Sequence, residues 1–158
     1  MPPALLAPVR RRALDVYRRL PVPVRRAVVR WLTPRYSVGV VCVFRRDGHV
    51  LMLRQRHHAG WTLPGGLLGR GESPHDALSR ELAEELAVSV ALPRLPVRTY
   101  VDPAARHVDV VYVIDVPHGT ELSMSADGLE VVDVAWRRPD SPVGNEATAT
   151  MLALLDDR

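Results

Sequence analysis

Between Trp61 and Val88 the chain reads WTLPGGLLGRGESPHDALSRELAEELAV, and this stretch holds most of the residues whose types and spacing could do chemistry. Glu81, Glu84 and Glu85 are its densest feature. On a helix, at about 100° per residue, the three spread over roughly 100°, so their carboxylates share one side. Like charges at i, i+4 repel, and acids toward a helix C-terminus oppose the macrodipole. Arg80, four residues before Glu84, is the local counter-charge. A solvated acidic face is the ordinary reading of three such acids. The adjoining Gly-rich stretch alters that reading, because glycine lets backbone carbonyls come close to the same side chains. Carboxylates joined by a carbonyl oxygen form a hard-oxygen set suited to Mg2+, or to Mn2+.

The acids need a helix to hold them, and the sequence punctuates one over Ser73–Leu86. Ser73 is a good N-cap, Pro74 suits the first helical position, and Asp76 completes a capping box. Leu78, Leu82 and Leu86 form its core stripe, and Ala77 leaves space beside Glu81. Residues 59–72 read as a loop. Upstream, Tyr36–Arg45 is nearly all apolar, as a buried strand is, with Gly39 its weak point. Asp47-Gly48 makes a turn into a second strand, His49–Gln55. Downstream, Val88–Tyr100, His107–Val116 and Glu130–Trp136 are strand-like, with turns around Pro103 and Ala126–Gly128. Ala147–Leu155 closes the chain as a helix. Strands interspersed with well-separated helices predict an α/β fold, a mixed sheet covered by helices.

The same residues carry a family resemblance. The Nudix box reads Gly, five residues, Glu, seven residues, Arg-Glu, an aliphatic, any residue, Glu-Glu, any residue, Gly, an aliphatic. This chain is similar at Gly66, Glu72, Arg80, Glu81, Leu82, Glu84, Glu85 and Val88, and departs only at Ala87, where the family usually has Gly. The approach Trp61-Thr-Leu-Pro-Gly-Gly66 also resembles the family's. The resemblance covers roughly Tyr36–Leu155 and implies the Nudix α/β/α sandwich. It also implies Mg2+-dependent hydrolysis of a nucleoside diphosphate linked to another moiety. On that basis Glu81, Glu84 and Glu85 are the expected metal-binding acids, and Gly65 gives a carbonyl ligand. Arg80 and Glu72 are the pair that steadies the loop. Ala87 is expected to take the left-handed cap of the family's Gly, at a cost of about 1 kcal/mol.

A polyanionic pyrophosphate is repelled by bare carboxylates, so bound cations must reverse the local sign before water can attack. Glu81, Glu84 or the downstream Glu130, with Asp133 behind it, is expected to take the proton. His57 and His58 lie beside the expected mouth, in reach of a phosphate, and Trp61 is read as a packing residue. Pro103 falls fifteen residues past Val88. In the family a Pro near that spacing often marks ADP-ribose cleavage, so ADP-ribose or a related nucleoside diphosphate sugar is the preferred substrate. The alternative is a nucleoside triphosphate, ordinary or oxidised. A non-catalytic nucleotide sensor would have lost box acids, and all are present.

Charge divides the chain. All 21 basic residues are Arg. Residues 1–35 hold nine of them against one acid, Asp15, a net +8; the rest holds twelve against seventeen acids, a net −5. Residues 1–35 are therefore read as a basic helical extension broken at Pro21 and Pro23, and 36–158 as the hydrolase domain. The extension is expected to pack on the domain or on a second subunit of a homodimer, with attraction to anionic lipid or nucleic acid as the sharper alternative. The acidic remainder argues against stable nucleic-acid binding. The single Cys42, in an apolar run, excludes an internal disulfide, and with no signal-like stretch this points to the cytoplasm.

Overall fold

The computed structural model describes residues 7–120 and 130–156. The turn expected at Ala126–Gly128 lies outside them. The chain divides into two compact units, Met1–Arg35 and Tyr36–Arg158.

The first unit contains helices α1 (Ala7–Arg19) and α2 (Val22–Leu32). Pro21 breaks them, as expected, and stands at the N-cap of α2. Pro23 does not break anything. It lies in the first turn of α2, where a missing N–H costs no intrahelical bond.

The second unit is built on a mixed sheet. Strands β1 (Ser37–Arg46) and β2 (His49–Gln55) form a hairpin whose two-residue loop has Asp47 at φ 49° and Gly48 at φ 73°. Two positive φ values match the twist of a tight hairpin, and Asp tolerates this region better than most residues. The expected loop over 59–72 contains two short strands, β3 (Trp61–Thr62) and β4 (Gly65–Leu67). These runs are too short for a sequence period to reveal. Next come α3 (Pro74–Leu86), β5 (Arg98–Asp102), β6 (His107–Asp115), β7 (Val131–Arg137) and α4 (Glu146–Asp156). The expected strand over Val88–Tyr100 shrinks to β5, because Pro93 and Pro96 remove ladder donors from its first half.

The sheet runs β3-β2-β1-β6-β5, with β7 on β2 and β4 on β1. Among the described strands, only β1 and β6 pair in parallel. The strand β2 stays paired with β1 only near the hairpin, at Arg45 and Arg46. Farther along, β4 takes its place against Gly39–Val41. The strands therefore splay, and Gly65-Gly66 enters the gap.

Alternation along β1 assigns the two layers. Val40, Cys42 and Phe44 face one side with Leu51 and Leu53, where Leu78, Leu82 and Leu86 of α3 pack. Val41 and Val43 face the other with Val50 and Met52, against Met151 and Leu152 of α4. This is an α/β/α sandwich. Burying each α3 leucine contributes about 1.5–3 kcal/mol. Ala77 belongs to this core and is fully buried, so it fills space under the helix rather than leaving it open beside Glu81. Cys42 is buried too, and burial pushes its thiol up, away from reactivity.

Both ends of α3 are fixed. Ser73 Oγ accepts from the Asp76 N–H at 3.2 Å and donates to the Asp76 carboxylate at 2.7 Å. At the other end Ala87 is left-handed, φ 53° and ψ 30°, and the Ala87 N–H donates back to Ala83 O. An alanine here bears a steric cost that glycine avoids. Ala87→Gly is expected to be neutral or stabilising by up to about 1 kcal/mol. A clear drop in the denaturant midpoint would contradict the strain assigned to this cap.

Candidate active site

The box acids emerge from α3 at three depths. Glu85 is buried, the Glu81 side chain is mostly covered, and Glu84 is exposed. Depth follows helix geometry, since Glu85 and Glu81 turn toward the splayed strands and Glu84 turns outward.

Glu85 is held from two sides. Its Oε2 accepts from the Gly65 N–H at 2.9 Å, and its Oε1 from Gln55 Nε2 at 2.5 Å. Thr62 Oγ1 donates to Gln55 Oε1 at 3.4 Å. Burial pushes the Glu85 carboxyl up to about 8, against the pull of the Gly65 N–H; the charges of Glu81 and Glu130 push it further up. Glu81 lies against Gly66 so closely that a Cβ there would run into its carboxylate. Gly65 has φ 143° and faces the Val40 backbone, which leaves no room for a side chain. Two adjacent glycines thus let the loop come down onto two acids.

Arg80 braces the cluster. Its Nε and Nη2 donate to the two Glu72 oxygens at 3.0 and 3.1 Å, a bidentate pair. Its Nη1 reaches Glu81 Oε1 at 2.8 Å and Glu84 Oε2 at 3.0 Å, and its Nη2 reaches Leu67 O at 3.2 Å. Glu72 also accepts from the Gly69 N–H at 2.6 Å, which fixes the loop that follows β4. The Arg80 bonds hold the Glu72 carboxyl below its usual range, and Glu72 and Glu81 raise the guanidinium further.

These groups line an open cleft of about 860 Å3. Gly65, Gly66, Glu72, Arg80, Glu81, Glu84 and Glu85 all face it. His57, His58 and Glu130 join them, with His57 Nε2 3.4 Å from Glu130 Oε1. Asp133 and Pro103 do not line it. Asp133 pairs with Arg54 at 3.5 Å, and Pro103 follows Asp102, whose carboxylate caps the β5–β6 turn at Ala104 and Ala105. Trp61 has a packing role, with Arg137 stacked at 4.7 Å over its half-buried ring. Sequence reasoning missed Gln55 and Arg70, both in the cleft wall. Gln55 was legible in part: it continues the buried face of Leu51 and Leu53, where a polar side chain needs a partner.

Among the described residues no three acids or histidines are already gathered as a closed metal cage. The donors fit a hard divalent cation nonetheless: a carboxylate raised by burial and like charge, a second packed on a glycine loop, and a third in solvent.

Braced acids at a split in the sheet of an α/β/α sandwich are a place where a divalent cation and a phosphate chain could meet. The chain belongs to the Nudix hydrolase family, since the family model for the NUDIX domain matches residues 33–155. It is 32% identical over 124 residues to a MutT-like protein of Streptomyces ambofaciens, covering 78% of this chain and 77% of that one. It is 27% identical over 139 residues to the nucleoside triphosphatase NudI of Escherichia fergusonii, covering 73% and 96%. The crystal structure of a MutT NUDIX hydrolase from Burkholderia pseudomallei superposes with a TM-score of 0.59 at 26% identity, over 76% of this chain and 98% of that one. Nudix hydrolases generally use divalent metal ions, typically Mg2+.

The raised Glu85 has a thermodynamic consequence. Folding favours its protonated form, so the stability it lends is full below about 4.5 and is lost as pH rises through about 8. Without metal, the unfolding midpoint of the wild type should fall relative to Glu85→Gln across that window. Mg2+ should restore it, more at the alkaline end than the acid end. A Mg2+ effect on the midpoint that is equal at both ends would contradict this linkage.

Proposed function

We propose that this cleft hydrolyses nucleoside triphosphates to the monophosphate and pyrophosphate. The observation that carries the reading is the convergence of Glu81, Glu85 and Glu130 on one open, polar cleft floored by Gly65-Gly66. Glu81, Glu84, Glu85 and the Gly65 carbonyl are the groups that would hold Mg2+, or Mn2+. Held there, such an ion would supply charge neutralisation for the phosphate chain and acidity for the attacking water. The protein's own residues do the rest. Arg80 keeps Glu81 and Glu84 from splaying apart, and through Glu72 it ties them to the loop. Gln55 and the Gly65 N–H fix Glu85, so its oxygens need no reorganisation as charge develops. Glu130 takes the proton of the attacking water on its carboxylate, beside His57. His57, His58 and Arg70 line the same wall and offer donors to the phosphate chain.

The name of one relative, a nucleoside triphosphatase, supports the triphosphate. ADP-ribose is the competing substrate, carried by the spacing of Pro103, which stands in a capped turn outside the cleft wall.

Steady-state assays with Mg2+, products resolved by chromatography, distinguish the two. The expected kcat/KM for triphosphates is more than about tenfold above that for ADP-ribose, and the reverse order would overturn the substrate assignment. In Glu130→Gln, kcat should drop by at least about 10²-fold with KM little changed. Full turnover in that variant would move the base to another carboxylate.

A further inference from the structure

The N-terminal unit carries exposed apolar side chains that the hydrolase chemistry does not use. The helix α2 has no buried residue. Its Trp31 is 80% exposed and Leu32 79%, and Val24 and Val29 are exposed too, as are Leu14 and Val16 of α1. At about 100° per residue the exposed Val24, Trp31 and Leu32 fall within an arc of roughly 100° with the half-buried Val28, while the exposed Val22 and Val29 lie on the opposite side with Arg26 and Arg30. A groove of about 380 Å3 within the unit is lined by Tyr17, Val22 and Val29 together with Arg25, Arg26 and Arg30. Apolar and guanidinium side chains therefore share its wall.

The geometry points to a peripheral membrane anchor: we propose that α1 and α2 lie on an anionic phospholipid surface, with Trp31 and Leu32 in the headgroup–acyl boundary. Three observations choose this occupant. The net +8 of residues 1–35 complements phosphatidylglycerol-type headgroups. A second copy of the same unit would bring a like charge against it, which opposes pairing of two arms. Exposed aliphatic side chains gain nothing from a nucleic-acid backbone, but they gain from hydrocarbon, and an exposed tryptophan suits the boundary between headgroup and hydrocarbon. Arginine stems can lie along the apolar side while their heads reach phosphate. Helices of 13 and 11 residues are well short of the roughly 20 that a span requires, so the unit lies on the bilayer and does not cross it.

The test uses the full chain and co-sedimentation with two vesicle types, phosphatidylcholine alone and phosphatidylcholine mixed with phosphatidylglycerol. Binding to the mixed vesicles should be at least about tenfold tighter and should weaken with added salt. The double variant Trp31→Ala, Leu32→Ala should bind at least about tenfold more weakly while hydrolysing nucleotide at the wild-type rate, which shows that it is folded. A second double variant, Arg26→Glu with Arg30→Glu, should lose the preference for anionic vesicles. Equal binding to both vesicle types overturns the proposal. So does a Trp31→Ala, Leu32→Ala protein that binds as the wild type does, since the apolar arc would then be idle. Wild type that ignores vesicles but forms a dimer broken by that variant would make this face a subunit contact. Wild type that ignores vesicles but binds an RNA oligonucleotide would make it a nucleic-acid surface.

Discussion

Three carboxylates within two turns of one helix repel one another, and this helix carries them at the end where its own dipole is unfavourable. The Arg80 guanidinium makes the arrangement tenable. Its planar fork spends two donors on Glu72 and others on Glu81, Glu84 and the Leu67 carbonyl. A lysine ammonium has no such fork and could not grip Glu72 from two directions while reaching Glu81 and Glu84. Helix and loop are thereby fixed to each other through one side chain. The orientation of Glu72, Glu81 and Glu84 follows from that link.

What Arg80 cannot reach is settled by the sheet. Because β2 leaves β1 after the hairpin, β4 can pair with Gly39–Val41, and the Gly65 N–H is delivered to Glu85. Two glycines make this approach possible, since a Cβ on either would strike the Val40 backbone or the Glu81 carboxylate. Gln55 reaches the same carboxylate from the end of β2. A carboxyl shielded from water, with like charges nearby, is a poor place for an isolated negative charge and a good one for a carboxylate shared with a cation.

Much of this was legible in the amino-acid sequence, and for local reasons. The cap at Ser73, the leucine stripe and the spacing of the acids are all set within a few residues, and α3 formed where they placed it. The Asp47-Gly48 hairpin and the His49–Gln55 strand are local in the same way. The left-handed Ala87 was expected because the family places a glycine there, and the backbone adopts that conformation without one. Less was legible where long-range pairing decides. Strands β3 and β4 are two and three residues long and exist only because β1 and β2 splay apart. The Val88–Tyr100 run has strand-like composition, but Pro93 and Pro96 deny it a ladder before Arg98. The role of Gln55 depends on a carboxylate thirty residues away, which no window around it contains. Pro103 has a suggestive spacing, yet it sits in a turn organised by Asp102 instead of in the cleft.

We propose that the Arg80-braced acids on α3 are a divalent-cation site. Mn2+ binding followed by electron paramagnetic resonance tests it directly, on the wild type and on Glu81→Gln, Glu84→Gln and Glu85→Gln in turn. Each exchange keeps the side-chain shape and removes one anionic donor. The account predicts Mn2+ binding by the wild type and at least about tenfold weaker binding in the Glu81 and Glu85 variants, with a smaller loss for the exposed Glu84. Mn2+ bound by all three variants as tightly as by the wild type would place the metal elsewhere and contradict the account.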